Sequence, residues 1–338
     1  MPVPLISVLL PVRNASGTLD ETLGSIRAQT LDRFEVIAVD DGSDDGSSVQ
    51  LTTAAAEDQR FRVLQSQRRG LVPALNMGLA AARSDLIARM DADDRMLPQR
   101  LERQRDYMLQ NPRTDVVASQ VRIFPEETLT DGLRAYIAWQ NDCITPSAIA
   151  NDIFLEAPFA HPSVTFRRQA VEAVGGYRDG LFPEDYDLWL RLFSAGAVLD
   201  KLPEVLLEWR DKPDRTSRVD PRCSRDAFNR LRAHYLAQDP RVTENRQRLV
   251  IWGAGRSTRK RVRHLLGHGF EPMAWVDIDP RKIGNRLDGI PVVSPQWLNR
   301  NPRPFVLSYV AAHGARACIE NALKGLGYTK GMDYLNVG

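Results

Sequence analysis

With 338 residues and 43% hydrophobic content, the chain can bury a sizeable core and is long enough for two domains, which sets a disordered protein aside. The net charge of +2 conceals an asymmetry, because beyond Leu249 there are roughly twice as many Lys and Arg as Asp and Glu while the preceding part is mildly acidic. Cys143, Cys223 and Cys318 are odd in number and lack ligand-like spacing, so neither a disulfide framework nor a zinc site is indicated and a reducing cytoplasm is the expected setting.

The opening MPVPLISVLLPVRN lacks a secretion-signal layout, and no apolar run approaches about 18 residues; a soluble chain is expected, with peripheral contact at the inner membrane face left open. Residues 5–10 (LISVLL) form an apolar, partly β-branched run halted by Pro11, the pattern of a buried parallel strand. A helix should follow, capped by Thr18, with Leu19, Leu23 and Ile26 at helical spacing, and residues 34–39 read as the second strand. That strand runs into Asp40-Asp41-Gly42-Ser43-Asp44-Asp45-Gly46. Open α/β sheets bind ligands at such strand ends, although a turn with an Asp or Ser cap leaves the same trace. Residues 62–64 supply a third strand and 70–82 a small-residue helix. Strand and helix thus alternate, the sign of a doubly wound, mostly parallel sheet.

The apolar run 86–88 feeds through Arg89-Met90 into Asp91-Ala92-Asp93-Asp94, and Pro98 opens a charged helical pattern. Three acids in four residues repel one another unless a cation or basic ligand shares the charge, and hard oxygen ligands suit Mg²⁺ or Mn²⁺ holding a diphosphate. An isolated DxD fits a solvated acidic loop equally well. The segments SVLLPVRN, VIAVDDGSDDGS, GLVPALNMGL and IARMDADDRMLPQRLERQ, taken in this order, resemble the nucleotide-sugar-binding half of family 2 glycosyltransferases, which have the GT-A fold. The resemblance implies donor-nucleotide contacts from Pro11, Arg13, Asp40, Asp41, Arg69, Asp91, Ala92 and Asp93, with Asp91 and Asp93 binding the divalent cation. Arg13 and Arg68 depart from the residues usual at their positions.

Residues 132–159 are less regular, and Tyr136, Trp139, Gln140 and Asn141 cluster where an acceptor would lie, though packing of an inserted helix accounts for Trp139 as well. Further on, GGYRDGLFPEDYDLWLRL resembles the acceptor-side signature of the same family, which makes Asp185 the general base and Glu184 the residue orienting the acceptor hydroxyl. Acids in a first helical turn also satisfy the macrodipole. Asp187 should point elsewhere, and His161, preceding Pro162, reads as a packed loop residue. Lys212 stands where the family often has a metal-binding His; a charged Lys cannot ligate a cation but can neutralise phosphate directly.

On this reading residues 1–219 form the glycosyltransferase domain, with donor half 1–115 and acceptor half 116–219, and 220–248 a helical linker. Residues 249–338 then form a smaller Rossmann-like α/β domain, in which Gly253, Gly255 and Arg256 start a helix and Asp277 ends the next strand. VIWGAGRSTR, WVDIDPRKIG and GIPVVSP resemble the nucleotide-sugar-binding domain of sugar acyltransferases, where these four residues would form a second ligand site; a structural or dimerising domain fits equally, and a homo-oligomer stays open. The resemblance implies an inverting transferase that uses a nucleotide-sugar donor, with UDP the expected nucleotide, and a saccharide or lipid-linked saccharide acceptor in bacterial surface polysaccharide synthesis. The alternatives are a noncatalytic nucleotide-sugar binder and an NAD-linked oxidoreductase working from the C-terminal domain. Nucleic acid is not an expected partner, since no aromatic platform accompanies the basic helix.

Overall fold

The structure, a computed structural model, describes residues 3–311 and 314–338. Two compact units emerge: Met1–Ile149 with Pro158–Asp220, and Ala150–Ala157 with Pro221–Gly338.

In the first unit the elements follow in the order β1 (Ile6–Val12), α1 (Ser16–Arg27), β2 (Phe34–Asp40), α2 (Ser47–Glu57), β3 (Phe61–Gln65), α3 (Leu71–Ala81), β4 (Leu86–Arg89) and β5 (Arg95–Met96). Then come α4 (Arg100–Gln110), β6 (Thr114–Phe124), α5 (Asp131–Asp142), α6 (Pro146–Asp152), β7 (Thr165–Arg167), α7 (Arg168–Ala173), α8 (Glu184–Ser194), β8 (Val198–Arg210) and α9 (Thr216–Val219). One sheet runs β3-β2-β1-β4-β7-β6-β8-β5. Strands β3-β2-β1-β4 are parallel. Beyond them β7 is antiparallel to both neighbours, and β5 is antiparallel to β8. Every residue of β1, β2 and β4 is buried, as expected for strands covered on both faces. On one face Val8, Leu10, Val36 and Ala38 pack with Leu19, Leu23 and Ile26 of α1 and Leu51 of α2; on the other, Ile37 and Val39 meet Ala74 of α3. Each buried Val, Leu or Ile among these contributes about 1.5–3 kcal/mol by leaving water.

Two sequence expectations are corrected here. Pro11 does not stop β1, which continues to Val12. Leu9 accepts from Met90 N on the β4 side while Val12 accepts from Asp41 N on the β2 side, so Pro11 faces the flank where β4 has already ended and its missing N–H breaks no ladder bond. Thr18 is not a cap: α1 starts at Ser16, and the Thr18 hydroxyl donates to the Ala92 carbonyl. The register aligns Val12 with Asp40 and Leu9 with Arg89, which sets the loops after β1, β2 and β4 along one edge of the sheet.

The second unit contains α10 (Arg225–Leu236), α11 (Pro240–Thr243), β9 (Leu249–Trp252), α12 (Arg256–Leu266), β10 (Ala274–Val276), β11 (Arg286–Leu287), β12 (Ile290–Val293), β13 (Phe305–Ser308), α13 (Ala315–Gly325) and β14 (Tyr334–Asn336). Its sheet, β11-β12-β10-β9-β13-β14, is parallel except for the β11 edge. Residues 221–248, read from sequence as a linker, fold into this unit, with α10 packed on α12. So does the segment 150–157, which lies in sequence between the two stretches of the first unit. Arg241 Nη1 donates to the Ala150 carbonyl at 3.0 Å and Arg232 Nη2 to that of Leu155 at 2.9 Å. Lys330 pairs with Asp152 at 2.7 Å, and Gly338 N donates to the Phe154 carbonyl.

A chain ended at Arg248 would keep the Arg241 and Arg232 bonds but lose those from residues 330–338. It is expected to melt below the full chain and to be cut by protease within 150–157; equal melting temperature and equal resistance there would overturn this.

Candidate active site

The loops at the sheet edge are organised by carboxylates that accept backbone N–H groups. Asp41, buried, accepts from Arg69 N through Oδ1 and from Gly70 N through Oδ2, both at 2.8 Å, and Arg13 approaches it at 3.8 Å. Asp40 is also buried and accepts from Ser43 N at 3.0 Å. These charge-assisted bonds fix the loops flanking Pro11 and Arg13. Arg68 donates to the Gly42 carbonyl and pairs with Asp44.

After β4 the chain presents Asp91, Asp93 and Asp94, each offering a carboxylate oxygen within 4.8 Å of the others. Thr18 and Thr22 hold the turn through the Ala92 and Asp94 carbonyls. Arg210, at the end of β8, donates Nε to the Asp93 carbonyl and its backbone N to Asp94 Oδ1, both at 2.7 Å. Asp94 Oδ2 is buried with no hydrogen-bond partner. Burial, and then the charges of Asp91 and Asp93, push the Asp94 carboxyl well up from its ordinary range. Burial also raises Asp91, against the opposing pull of Arg89. An all-oxygen donor set with one buried oxygen unserved fits Mg²⁺ or Mn²⁺. Lys212 Nζ stands 2.9 Å from Asp93 Oδ2, so the lysine already places positive charge on this cluster.

Arg89 is 2% exposed and ion-paired with Asp91. Burial works against its charge, and the fields of Asp91, Tyr177 and Glu184 hold it protonated. Its carbonyl accepts from Arg100 Nη2 at 2.7 Å.

The acceptor-side acids open α8, with Pro183 as its N-cap. Asp185 is partly buried and accepts from Tyr186 N at 2.7 Å; Glu184 is 8% exposed. Burial first, and then the neighbouring Glu184 charge, push the Asp185 carboxyl up to about 7. Asp187 turns inward to Arg191 at 2.7 Å, and Arg191 donates to the Val174 carbonyl. The adjoining turn is clamped from α3: Asn76 donates to the Tyr177 carbonyl and accepts from Tyr177 N. Gly176 has φ 68°, and a Cβ there would lie 2.8 Å from Asn76 Oδ1, so only glycine suits this position. His161 packs beside Trp189 and meets the Tyr177 hydroxyl at 3.0 Å; burial and then Arg89 depress its pKa, keeping it neutral. Tyr136 and Trp139 stack on α5 with ring centroids 5.9 Å apart.

Sequence reasoning left Arg89, Arg210, Tyr177 and Asn76 without roles. The one available signal was a cation ending an otherwise apolar strand just before three acids; the Asn76 clamp joins residues 101 apart and leaves no local trace.

In the second unit Gly253 has φ 114°, and a Cβ there would lie 2.9 Å from Thr258 Oγ1. Gly255 is the N-cap of α12, and Arg256 is exposed. Asp277 accepts from Ala254 N, Lys282 Nζ and Asp279 N. Burial would raise its carboxyl, but these donors hold it below the usual carboxylate range.

A parallel sheet edge carrying acids at the ends of β2 and β4, with a further acid pair opening α8, has the layout of a transferase of the GT-A type. The sequence profile of glycosyl transferase family 2 matches residues 7–175, and the chain belongs to that family. It is similar to the amylovoran biosynthesis glycosyltransferase AmsE of Erwinia amylovora, 33% identical over 213 residues that span 62% of this chain and 77% of the relative. It is 29% identical to a UDP-Gal:α-D-GlcNAc-diphosphoundecaprenol β-1,3-galactosyltransferase of Escherichia coli over 61% of this chain and 74% of that protein. Among solved structures, S. aureus TarS with UDP-GlcNAc superposes with a TM-score of 0.56 at 15% identity, covering 70% of this chain and 67% of that one. That likeness shows the shared fold.

The raised Asp185 carboxyl has a consequence for stability. Between its ordinary 3.8 and about 7 the folded state keeps a proton that the unfolded chain releases, so this group makes stability fall as pH rises through that window. Asp185→Asn is expected to stabilise the protein by on the order of 1–2 kcal/mol above pH 7 and to change nothing near pH 3, after discounting for partial solvent exposure. Thermal melts across pH check this, and a pH-independent difference would refute it.

Proposed function

We propose that this family 2 enzyme is an inverting glycosyltransferase that moves a sugar from a nucleoside diphosphate sugar, UDP being the expected carrier, to a hydroxyl of a lipid-linked saccharide in bacterial surface polysaccharide synthesis. The observation that carries the reading is the pairing of two carboxylate clusters around one buried cation: Arg89 binds Asp91 of the donor-side acids, and its field reaches Glu184 and Asp185 of the acceptor-side pair. The printed names of the relatives support the polysaccharide setting, and the diphosphoundecaprenol acceptor of one of them supports the lipid-linked class.

Asp185 is the proposed general base. A carboxyl at about 7 is ionised in a large fraction at neutral pH, yet basic enough to take a proton from an acceptor hydroxyl as it attacks. Glu184 orients that hydroxyl and, by its charge, raises the basicity of Asp185. Asp91, Asp93 and Asp94 would hold a divalent cation, which supplies charge neutralisation to the departing diphosphate. Lys212, now on Asp93, adds a second positive charge beside that cluster, and Arg210 fixes the Asp93 carbonyl and Asp94 against it. Asp40, Asp41, Pro11, Arg13 and Arg69 line the loops proposed to receive the nucleoside. With one base and no nucleophile assigned to the opposite face, a single displacement with inversion is the favoured course.

Asp185→Asn is expected to lower turnover by about a hundred- to ten-thousand-fold while leaving calorimetric binding of UDP intact; Asp93→Ala should abolish the Mn²⁺-dependent part of that binding. The kcat/KM profile should rise with pH and level off above about 7. Retained turnover in Asp185→Asn, or a product with the donor's anomeric configuration by NMR, would sink the assignment.

A further inference from the structure

Helix α12 carries Arg256, Arg259, Lys260 and Arg263, at i, i+3, i+4 and i+7, so all four occupy one face. Arg256, Lys260 and Arg263 are exposed and Arg259 is half-exposed, while Thr258, Val262 and Leu265 point into the unit. The helix's other arginine, Arg261, is not part of this stripe, because its Nη2 donates to the Tyr309 carbonyl at 2.6 Å. Five carboxylates of this unit are engaged elsewhere: Asp226 by Arg230 and His264, Asp277 by Lys282, Asp279 by Arg281, Glu320 by Lys330 and Asp333 by Arg303. Among the described residues none of the four stripe cations makes an ion pair, and Arg259 Nε is buried without a hydrogen-bond partner.

Such a stripe works against the helix that bears it. Like charges three and four residues apart repel, and Arg256 in the first turn opposes the macrodipole. An anionic surface laid along the face would reverse both effects. Next to it, Ile278 is 76% exposed on the loop that follows β10. Gly253 N bonded to the Val276 carbonyl and Ala254 N bonded to Asp277 hold that loop against the turn entering α12. An isolated exposed apolar side chain beside unpaired cations is the composition of an interfacial membrane contact.

We infer that the outer face of α12, with Ile278, docks the protein on a bilayer containing acidic phospholipid. The choice of a bilayer over other polyanions rests on the proposed lipid-linked acceptor. Among the described residues no helix is long and apolar enough to cross a membrane, and a cationic face gives an enzyme using such an acceptor a way to meet it at the acidic surface. The stripe spans roughly 10 Å, at 1.5 Å rise per residue, enough to face several headgroups.

The test is sedimentation of the full chain with vesicles of phosphatidylglycerol mixed with phosphatidylcholine, and with phosphatidylcholine alone, at low and high salt. The expected result is binding to the acidic vesicles only, weakened by salt. Arg259→Glu/Lys260→Glu/Arg263→Glu should lower it by roughly a hundredfold or more, since each cation near an acidic surface strengthens binding about fivefold. The milder triple Gln variant should show an intermediate loss if the reversal variant misfolds. UDP binding is measured in parallel, so that failure of the transferase reading shows there and not in the vesicle assay. No binding to acidic vesicles, equal binding to neutral ones, tighter binding to a DNA duplex than to vesicles, or vesicle binding unchanged in the variants would each overturn the inference.

Discussion

The arrangement of the first unit depends on one buried guanidinium. Arg89 closes β4 in the centre of the sheet, where an isolated charge would be far too costly to keep. Its charge is tolerable because Asp91 pairs with it and the acids opening α8 lie within its field. Those acids would in turn repel one another without it. Burial, and then the charge of the same residue, keep His161 neutral where it meets the Tyr177 hydroxyl at 3.0 Å. The acids after β4 and those opening α8 are thus parts of one electrostatic balance centred on Arg89, and the parallel register ends β1, β2 and β4 at one edge.

Much of this was legible in the residues themselves. The apolar runs 5–10, 34–39 and 86–88 read as buried strands, and every residue of β1, β2 and β4 is indeed buried, with the acid-rich segments following β2 and β4. Local rules misread Pro11 and Thr18 because the deciding partner was remote: an absent strand in one case, the Ala92 carbonyl in the other. Lys212 was noted for its charge, but its contact with Asp93 spans 119 positions and follows from the long β8 strand passing the acid cluster. Arg89 escaped notice because a basic residue at a strand end usually means solvent, and only the fold shows it enclosed.

The second unit shows how a familiar pattern can keep its geometry while its side chains turn to other tasks. The glycine turn remains, with Gly253 at a positive φ against Thr258, yet the acid at the end of the second strand is engaged by Lys282 and two backbone donors of the same unit. The turn is consequently rigid, and the helix that leaves it presents its cations outward in a fixed direction.

The segment 150–157 carries a consequence for how the protein is made. It is synthesised in the middle of the transferase unit, but Asp152 and the Phe154 carbonyl find their partners in residues 330 and 338. During translation the acceptor half therefore emerges long before the residues that hold this segment exist. The contacts of Asp152 and Phe154 with residues 330 and 338 must wait while about 180 further residues are added, roughly ten to forty seconds at the usual elongation rates, and until then Arg232 and Arg241 are the partners in place for the segment. The order of synthesis and the order in which these contacts can form are therefore opposed at this point.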